Sequence, residues 1–301
     1  MRVAVTGAGG RLGSALVTAL ADAPFTGPAG PIAWRRDAFD LDAPDGIGAR
    51  LDRDRPEVVV HAAAWTDVDG CALDPELASR RNGQATGVLA TACAERGTDL
   101  LIVSTNEVFS GDWTDGRPWL PTDPTEPGNP YGASKLEGER LATQAFEMQP
   151  GASIGIARTA WLFGAPGRDF PSRILDAAER ARAAGEPLRA VGDEWGTPTY
   201  TADVADAIVE LLAEDAVSGI HHLVNGLFAS RADWARYVVG RARIEVDVIN
   251  VPMSTWVRPS KPPLWGVLAP TPLPSGEPMR PWLDAMADYA PRLLREARTR
   301  A

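Results

Sequence analysis

Tyr131 and Lys135 stand four residues apart in NPYGASKLEGE, residues 129–139, where a helical pattern opens. On a helix this interval stacks a phenol and an ammonium on one face. Such a pair can move a proton. A free tyrosine, with a pKa of about 10, is a sluggish acid or base near neutrality. A neighbouring ammonium favours the phenolate and lowers that value. The spacing alone also fits an exposed tyrosine covering a lysine stem, so the chemistry requires a site supplied by the rest of the chain.

TGAGGRLG, residues 6–13, offers one. Gly7, Gly10 and Gly13 recur every third residue between an apolar run, RVAVTG, and a helical pattern, GRLGSALVTALAD. That placement is required of a dinucleotide loop. Gly7 permits the tight turn, Gly10 lets the backbone approach a pyrophosphate, and Gly13 lets the helix pack close to the sheet. Unpaired N–H groups and the positive end of the helix dipole then face the phosphates. The second strand ends Trp34-Arg35-Arg36-Asp37. Arginine there accommodates the 2′-phosphate of NADP, whereas an acid binds the ribose hydroxyls of NAD. Two arginines point to NADP, and Asp37 keeps NAD open.

The elements that must position these groups alternate. PIAWRR, VVVHAAA, DLLIVST and SIGIART read as buried strands, separated by helical patterns over IGARLDRDRP, PELASRRNGQATGVLATACAERG and SKLEGERLATQAF. This order predicts an α/β fold, a Rossmann-type doubly wound parallel sheet. Beyond Trp161 the pattern loosens into helices over FPSRILDAAERARAAG, TADVADAIVELLAED (capped by Thr201) and SRADWARYVVGRA (capped by Ser230), then a proline-dense stretch from Val251 to Trp282. The expected division is a nucleotide-binding core over 1–160, with a return segment near 196–225, and a smaller discontinuous C-terminal substrate lobe over 161–301. The loop from Asn106 to Pro130 is long enough to be functional.

With 301 residues, 45% of them hydrophobic, the chain can bury a large core. Its net charge of −10 argues against a nucleic-acid surface. The two cysteines, Cys71 and Cys93, make neither a disulfide framework nor a zinc site, and no metal site is expected. No apolar stretch reaches the roughly 18 residues of a membrane span, and the opening residues lack a signal-peptide pattern. A cytoplasmic location is the simplest expectation. His61 ends a strand and reads as a satisfied core histidine.

The glycine spacing and the Tyr131/Lys135 pair resemble the two marks of the extended short-chain dehydrogenase/reductase family. HAAAWTDVD (61–69), STNEVFSG (104–111), RTAWLFG (158–164) and GTPTYTADVADAI (196–208) are similar to its dTDP-4-dehydrorhamnose reductase branch. The resemblance implies NAD(P)H-dependent reduction of a nucleotide-linked 4-keto-6-deoxy sugar, with hydride going to C4. It implies Tyr131 as proton donor, Lys135 as its neighbour and ribose ligand, and Thr105 as the hydroxyl that orients the carbonyl oxygen. For the cofactor it implies contacts from Gly7, Gly10, Arg11, Leu12, Gly13, Arg35, Arg36, Asp40, Leu41, Ala62, Ala63, Ala64 and Asn82. For the sugar it implies Thr66, Val68, Thr105, Asn106, Glu107 and Trp161, the last as an aromatic wall. A homodimer is compatible with it.

The branch pattern has Asp and Tyr where this chain has Asn106 and Glu107. Glu107 removes an aromatic wall and adds a carboxylate that needs a hydrogen-bond partner, a sugar hydroxyl or Trp/Arg donors of the long loop. Two rival readings follow. An NAD-dependent epimerase or dehydratase would use acidic residues beside Thr105, and a non-catalytic NADP-binding regulatory subunit would use only the cofactor loop.

Overall fold

Alternation along β1 (Val3–Thr6) decides which helices flank it: Val3 and Val5 face Leu12, Leu16 and Leu20 of α1 (Arg11–Asp22), while Ala4 faces the opposite layer. β3 (Val58–His61) repeats this, with Val58 and Val60 on the first side and Val59 on the second. The computed structural model describes residues 1–112 and 115–299. Its main sheet has six parallel strands in the order Gly219–His222, β5 (Ile154–Thr159), β4 (Asp99–Thr105), β3, β1 and β2 (Ile32–Trp34). The direction of winding reverses between β1 and β3. A crevice opens at such a switch point, outside the carboxyl ends of the strands.

α2 (Ile47–Asp54), α5 (Ala85–Ala94) and α6 (Pro130–Met148) cover the Ala4 side through Leu51, Leu89, Ala142 and Phe146. On the Val3 side the helix Thr201–Ala213 packs beside α1 through Ile208 and Leu211. The helices Phe170–Ala184, Arg231–Ala242 and Trp282–Arg298 gather around Phe163, Leu175, Trp234 and Tyr289, a separate apolar core. A fourth cluster, Val108, Phe109, Trp119, Trp265 and Leu268, lies beneath the long loop, whose Trp119 N–H donates to Val267 at 2.8 Å. That loop is therefore anchored through Val108, Phe109 and Trp119; its Trp113 and Thr114 lie outside the described residues.

Two local expectations are corrected. After α3 (Val68–Leu73), the single long helix expected over 75–97 is broken into α4 (Pro75–Ala78), a π-helical stretch Ser79–Gln84, and α5. The wider turn carries Asn82 toward Trp65, where its side chain makes two hydrogen bonds to the backbone. Thr201 does not cap its helix. Tyr200 does, because it is held extended by pairing of Thr199–Tyr200 with Leu162–Phe163 and by its N–H donating to Asn225 Oδ1 at 2.7 Å. Ser230 caps as expected, with Asp233 completing a capping box. No helix among the described residues is long and apolar enough to cross a membrane.

Candidate active site

The glycine loop is shaped by contacts that leave no room for side chains. Gly7 has φ +64°, and a Cβ there would sit 2.8 Å from Ala63 Cα. A Cβ on Gly13 would lie 2.1 Å from the Gly7 carbonyl oxygen. The Gly10 N–H donates to that same oxygen at 2.8 Å, closing the turn. Gly10 caps α1 without a side-chain acceptor, and the first turn holds no acid. Its first N–H groups and its dipole therefore remain available to an anion.

A cleft of about 710 Å³ begins at Gly7 and Gly10 and runs past Ala62, Ala63 and Ala64 to Arg35, Arg36, Asp40 and Leu41. Trp65 and Arg81 also line it, the guanidinium 5.1 Å from the indole centroid. Arg81 is held at Asp42 by two bonds of 2.6 and 2.7 Å, which keep that carboxyl below the usual range. Arg36 pairs with Asp40 at 3.5 Å. Arg35 is exposed and has no ion pair among the described residues, so its charge is free for a phosphate at the cleft mouth. Asp37 is exposed and does not line the cleft.

The alanine wall is fixed from behind. Thr86 Oγ1 donates to Asn82 O at 2.8 Å, so it accepts from His61 Nε2 at 3.1 Å. His61 Nδ1 then accepts from Thr6 Oγ1 at 2.8 Å, and the Thr6 oxygen accepts from the Ala63 N–H at 3.1 Å. Each hydroxyl has one proton, so this order assigns a neutral imidazole with its proton on Nε2. Burial, with the Lys135 charge, pushes His61 down to about 3. His61 is thus the satisfied core histidine expected from its position.

Asn82 departs from its expected place among the cofactor contacts. Its amide is used by Trp65 N at 2.8 Å, Trp65 O at 3.0 Å and Ser134 Oγ at 3.1 Å, and it is buried behind the cleft wall. Its contribution is to hold the loop after β3 against α6.

A second cleft, of about 420 Å³, shares Gly10, Ala62 and Ala64 with the first and brings together Arg11, Leu12, Gly13, Thr66, Val68, Thr105, Asn106, Glu107, Tyr131, Lys135 and Trp161. α6 supplies Tyr131 and Lys135. It starts where Asn129 Oδ1 accepts from the Gly132 N–H at 2.9 Å and where Pro130 enters the first turn. β4 supplies Thr105, whose Oγ1 accepts from the Glu107 N–H at 3.2 Å. Ser104 turns the other way, donating to Glu139, whose carboxylate is forked by Arg158 at 3.1 and 2.6 Å. Asn106 reaches away to the Gly266 carbonyl at 3.2 Å.

The electrostatics differ from the simple expectation. Burial pushes the Tyr131 phenol well above its ordinary value, and Glu107 and Cys71 add to this; a hydrogen bond with Thr105 works against it. Lys135 is 5% exposed, and burial pushes it down to about 8 against the opposing charge of Glu139. Desolvation of both groups thus outweighs any lowering of the phenol by its neighbour. Cys71, buried beneath, is pushed up to about 11 by burial, Asp67 and Glu107.

Trp161 is also altered from expectation. It has φ +43°, its ring lies where a Cβ on Gly196 would be (2.4 Å away), and it is stacked near Trp234. The Arg231 guanidinium lies over it at 3.5 Å and lines the same cleft, so this aromatic wall carries a cation on one face. Arg231 gave no sequence signal beyond following a cap residue. Glu107 takes a partner from the end of the long loop. Its Oε2 accepts from Asn129 Nδ2 at 2.6 Å, a partner legible only as the cap of α6.

The model of the family described as RmlD substrate binding domain matches residues 1–294. A dTDP-4-dehydrorhamnose reductase of Burkholderia thailandensis is 35% identical over 286 residues, covering 89% of this chain and 90% of that one. One of Streptomyces griseus is 35% identical over 301 residues, with 96% and 93% covered. The crystal structure of dTDP-4-dehydrorhamnose reductase from Bacillus anthracis in complex with NADP superposes with a TM-score of 0.84 at 26% identity, covering 97% of this chain and 99% of that one.

Proposed function

This chain belongs to the RmlD substrate binding domain family, and from that premise we propose that it reduces the ketone of a nucleotide-linked 4-keto-6-deoxy sugar with NADPH. The observation that carries the reading is the meeting of Thr105, Tyr131 and Lys135 in a cleft continuous with the glycine loop. The names of the relatives at 35% identity and the NADP in the Bacillus anthracis structure support it. Residues 1–160 would form the cofactor half and 161–301 the substrate lobe.

The residues present fit the cofactor. The side-chain-free turn at Gly7 and Gly13 admits a pyrophosphate against the open end of α1, and unpaired Arg35 suits a 2′-phosphate better than the outward Asp37 suits a ribose. When bound, NADPH supplies the hydride. Thr105 orients the ketone oxygen, its own oxygen already fixed by the Glu107 N–H. Tyr131 passes its phenolic proton from Oη to that oxygen as negative charge develops there. Its raised pKa keeps the proton in place until then. Lys135, still largely protonated near neutrality, offsets the charge left on the phenolate.

Tyr131→Phe tests this. Turnover, followed as NADPH absorbance lost with a nucleotide-linked 4-keto-6-deoxyhexose, should fall by roughly 10²- to 10⁴-fold, the usual worth of general acid catalysis. NADPH binding, read by fluorescence titration, should persist. Undiminished turnover would discard the role of Tyr131. Product formation without stoichiometric NADPH loss would discard net reduction in favour of an epimerase or dehydratase.

A further inference from the structure

Glu107 is a carboxylate in an awkward place. It lines the same cleft as Tyr131, and its charge bears directly on the phenol. Its backbone N–H fixes Thr105, and it lines one cleft with both groups that would hold the ketone oxygen. Negative charge there opposes the negative charge that builds on that oxygen during reduction. Something must offset it.

The protein offsets it only in part. Oε2 accepts one hydrogen bond, from Asn129 Nδ2 at 2.6 Å, and Asn129 is itself steadied by donating to Lys261 O at 3.2 Å. Oε1 has no hydrogen bond among the described residues. The two cations whose charges reach Glu107 are Arg231 and Arg258. Each is committed elsewhere: Arg231 holds Glu194 with bonds of 3.0 and 2.9 Å, and Arg258 holds Asp69 at 2.9 Å. Burial accordingly pushes the Glu107 carboxyl above its usual range. A desolvated acceptor with one open oxygen, facing a ligand cleft, is completed by a donor on the ligand.

We propose that Glu107, aimed by Asn129, is the specificity-determining acceptor for a hydrogen-bond donor on the sugar carbon beside the ketone. The donor is a hydroxyl or an ammonium. Bound there, it completes the shell of Glu107 and screens it from the ketone oxygen. The enzyme therefore selects sugars that carry the donor against their deoxy counterparts, because a deoxy sugar leaves the carboxylate unpaired. The inference rests on the 4-ketoreductase reading for its reaction.

The experiment compares kcat/KM for three nucleotide-linked 4-keto-6-deoxyhexoses that differ only at C3, bearing hydroxyl, amino or hydrogen, in the native enzyme and in Glu107→Leu and Glu107→Gln. The native enzyme should prefer the better donor-bearing sugar over the deoxy sugar by about 10²-fold, the worth of a hydrogen bond to a charged group. Glu107→Leu should bring the ratio close to one, and Glu107→Gln should keep part of it for the hydroxyl sugar. The rank of amino against hydroxyl identifies the donor. A ratio that stays at its native value in Glu107→Leu, in a protein that still binds NADPH, overturns the proposal. The same ratios are read as dissociation constants of the corresponding 4-hydroxy nucleotide sugars by calorimetry. These decide the matter independently of turnover, so failure of the reductase reading (no NADPH loss with any sugar) is told apart from failure of this one (no discrimination in binding).

Discussion

The two clefts are built from different materials. The first cleft is floored by backbone, with glycines at 7, 9 and 10 and alanines at 62, 63 and 64, drawn from two adjacent strand ends. The substrate side is mostly side chains, drawn from β4, α6, the turn at Trp161 and the helix beginning at Arg231. Under the proposed reading, the first would recognise what every dinucleotide has, a pyrophosphate. The second carries a carboxylate, Glu107, and a guanidinium, Arg231, in its wall. A backbone site fails when volume is added; a side-chain site fails when a functional group is removed.

Gly13→Val should give the largest effect, since its Cβ falls 2.1 Å from the Gly7 carbonyl oxygen, which cannot yield without opening the loop. Overpacking of this kind costs roughly 1–3 kcal/mol. We expect NADPH binding to be lost over the accessible concentration range and the melting temperature to fall; unchanged binding would mean that the turn is not the phosphate site. Arg35→Ala should be milder and selective. Losing a charge-assisted bond costs about 1.5–3 kcal/mol, roughly 10- to 100-fold. It should fall on NADPH and spare NADH, and equal losses for both would assign Arg35 elsewhere.

Apart from ligand binding stands a pH effect on stability at Lys135. Its folded pKa is pushed down to about 8 from 10.5, so between these values the unfolded chain binds more protons than the folded one. The lysine therefore costs stability at neutral pH, and the cost is relieved as pH rises through that window. Without ligands, Lys135→Met should be more stable than the native chain near neutrality, with the gap closing from about 8 toward 10.5. A gap that stays constant in urea titrations across the window would show that Lys135 titrates normally.

The difference in materials also explains what could be read in advance. The glycine loop is a short-range pattern: its spacing is its geometry, and the strand before it and helix after it follow from apolar periodicity. Tyr131 and Lys135 are likewise joined by one helical turn. Arg231 is another matter, since it meets Trp161 only after a chain excursion through the helices Phe170–Ala184 and Thr201–Ala213. No spacing encodes that contact. For Asn82 the resemblance implies a cofactor contact, whereas its amide is spent on Trp65 and Ser134, contacts that no spacing encodes. The Tyr131 environment was also misjudged, because neighbours in sequence show charge but not the desolvation that here dominates both groups.

Arg11 reaches from the first turn of α1 to the carbonyls of Gly164 and Arg168 and to the carboxylate of Asp169, 3.8 Å away. The glycine turn and the segment leading into the C-terminal helices are thereby clasped by a single side chain. Loss of that one guanidinium would therefore strip two carbonyls and a buried carboxylate of a partner at once, on the far side of the clasp from α1.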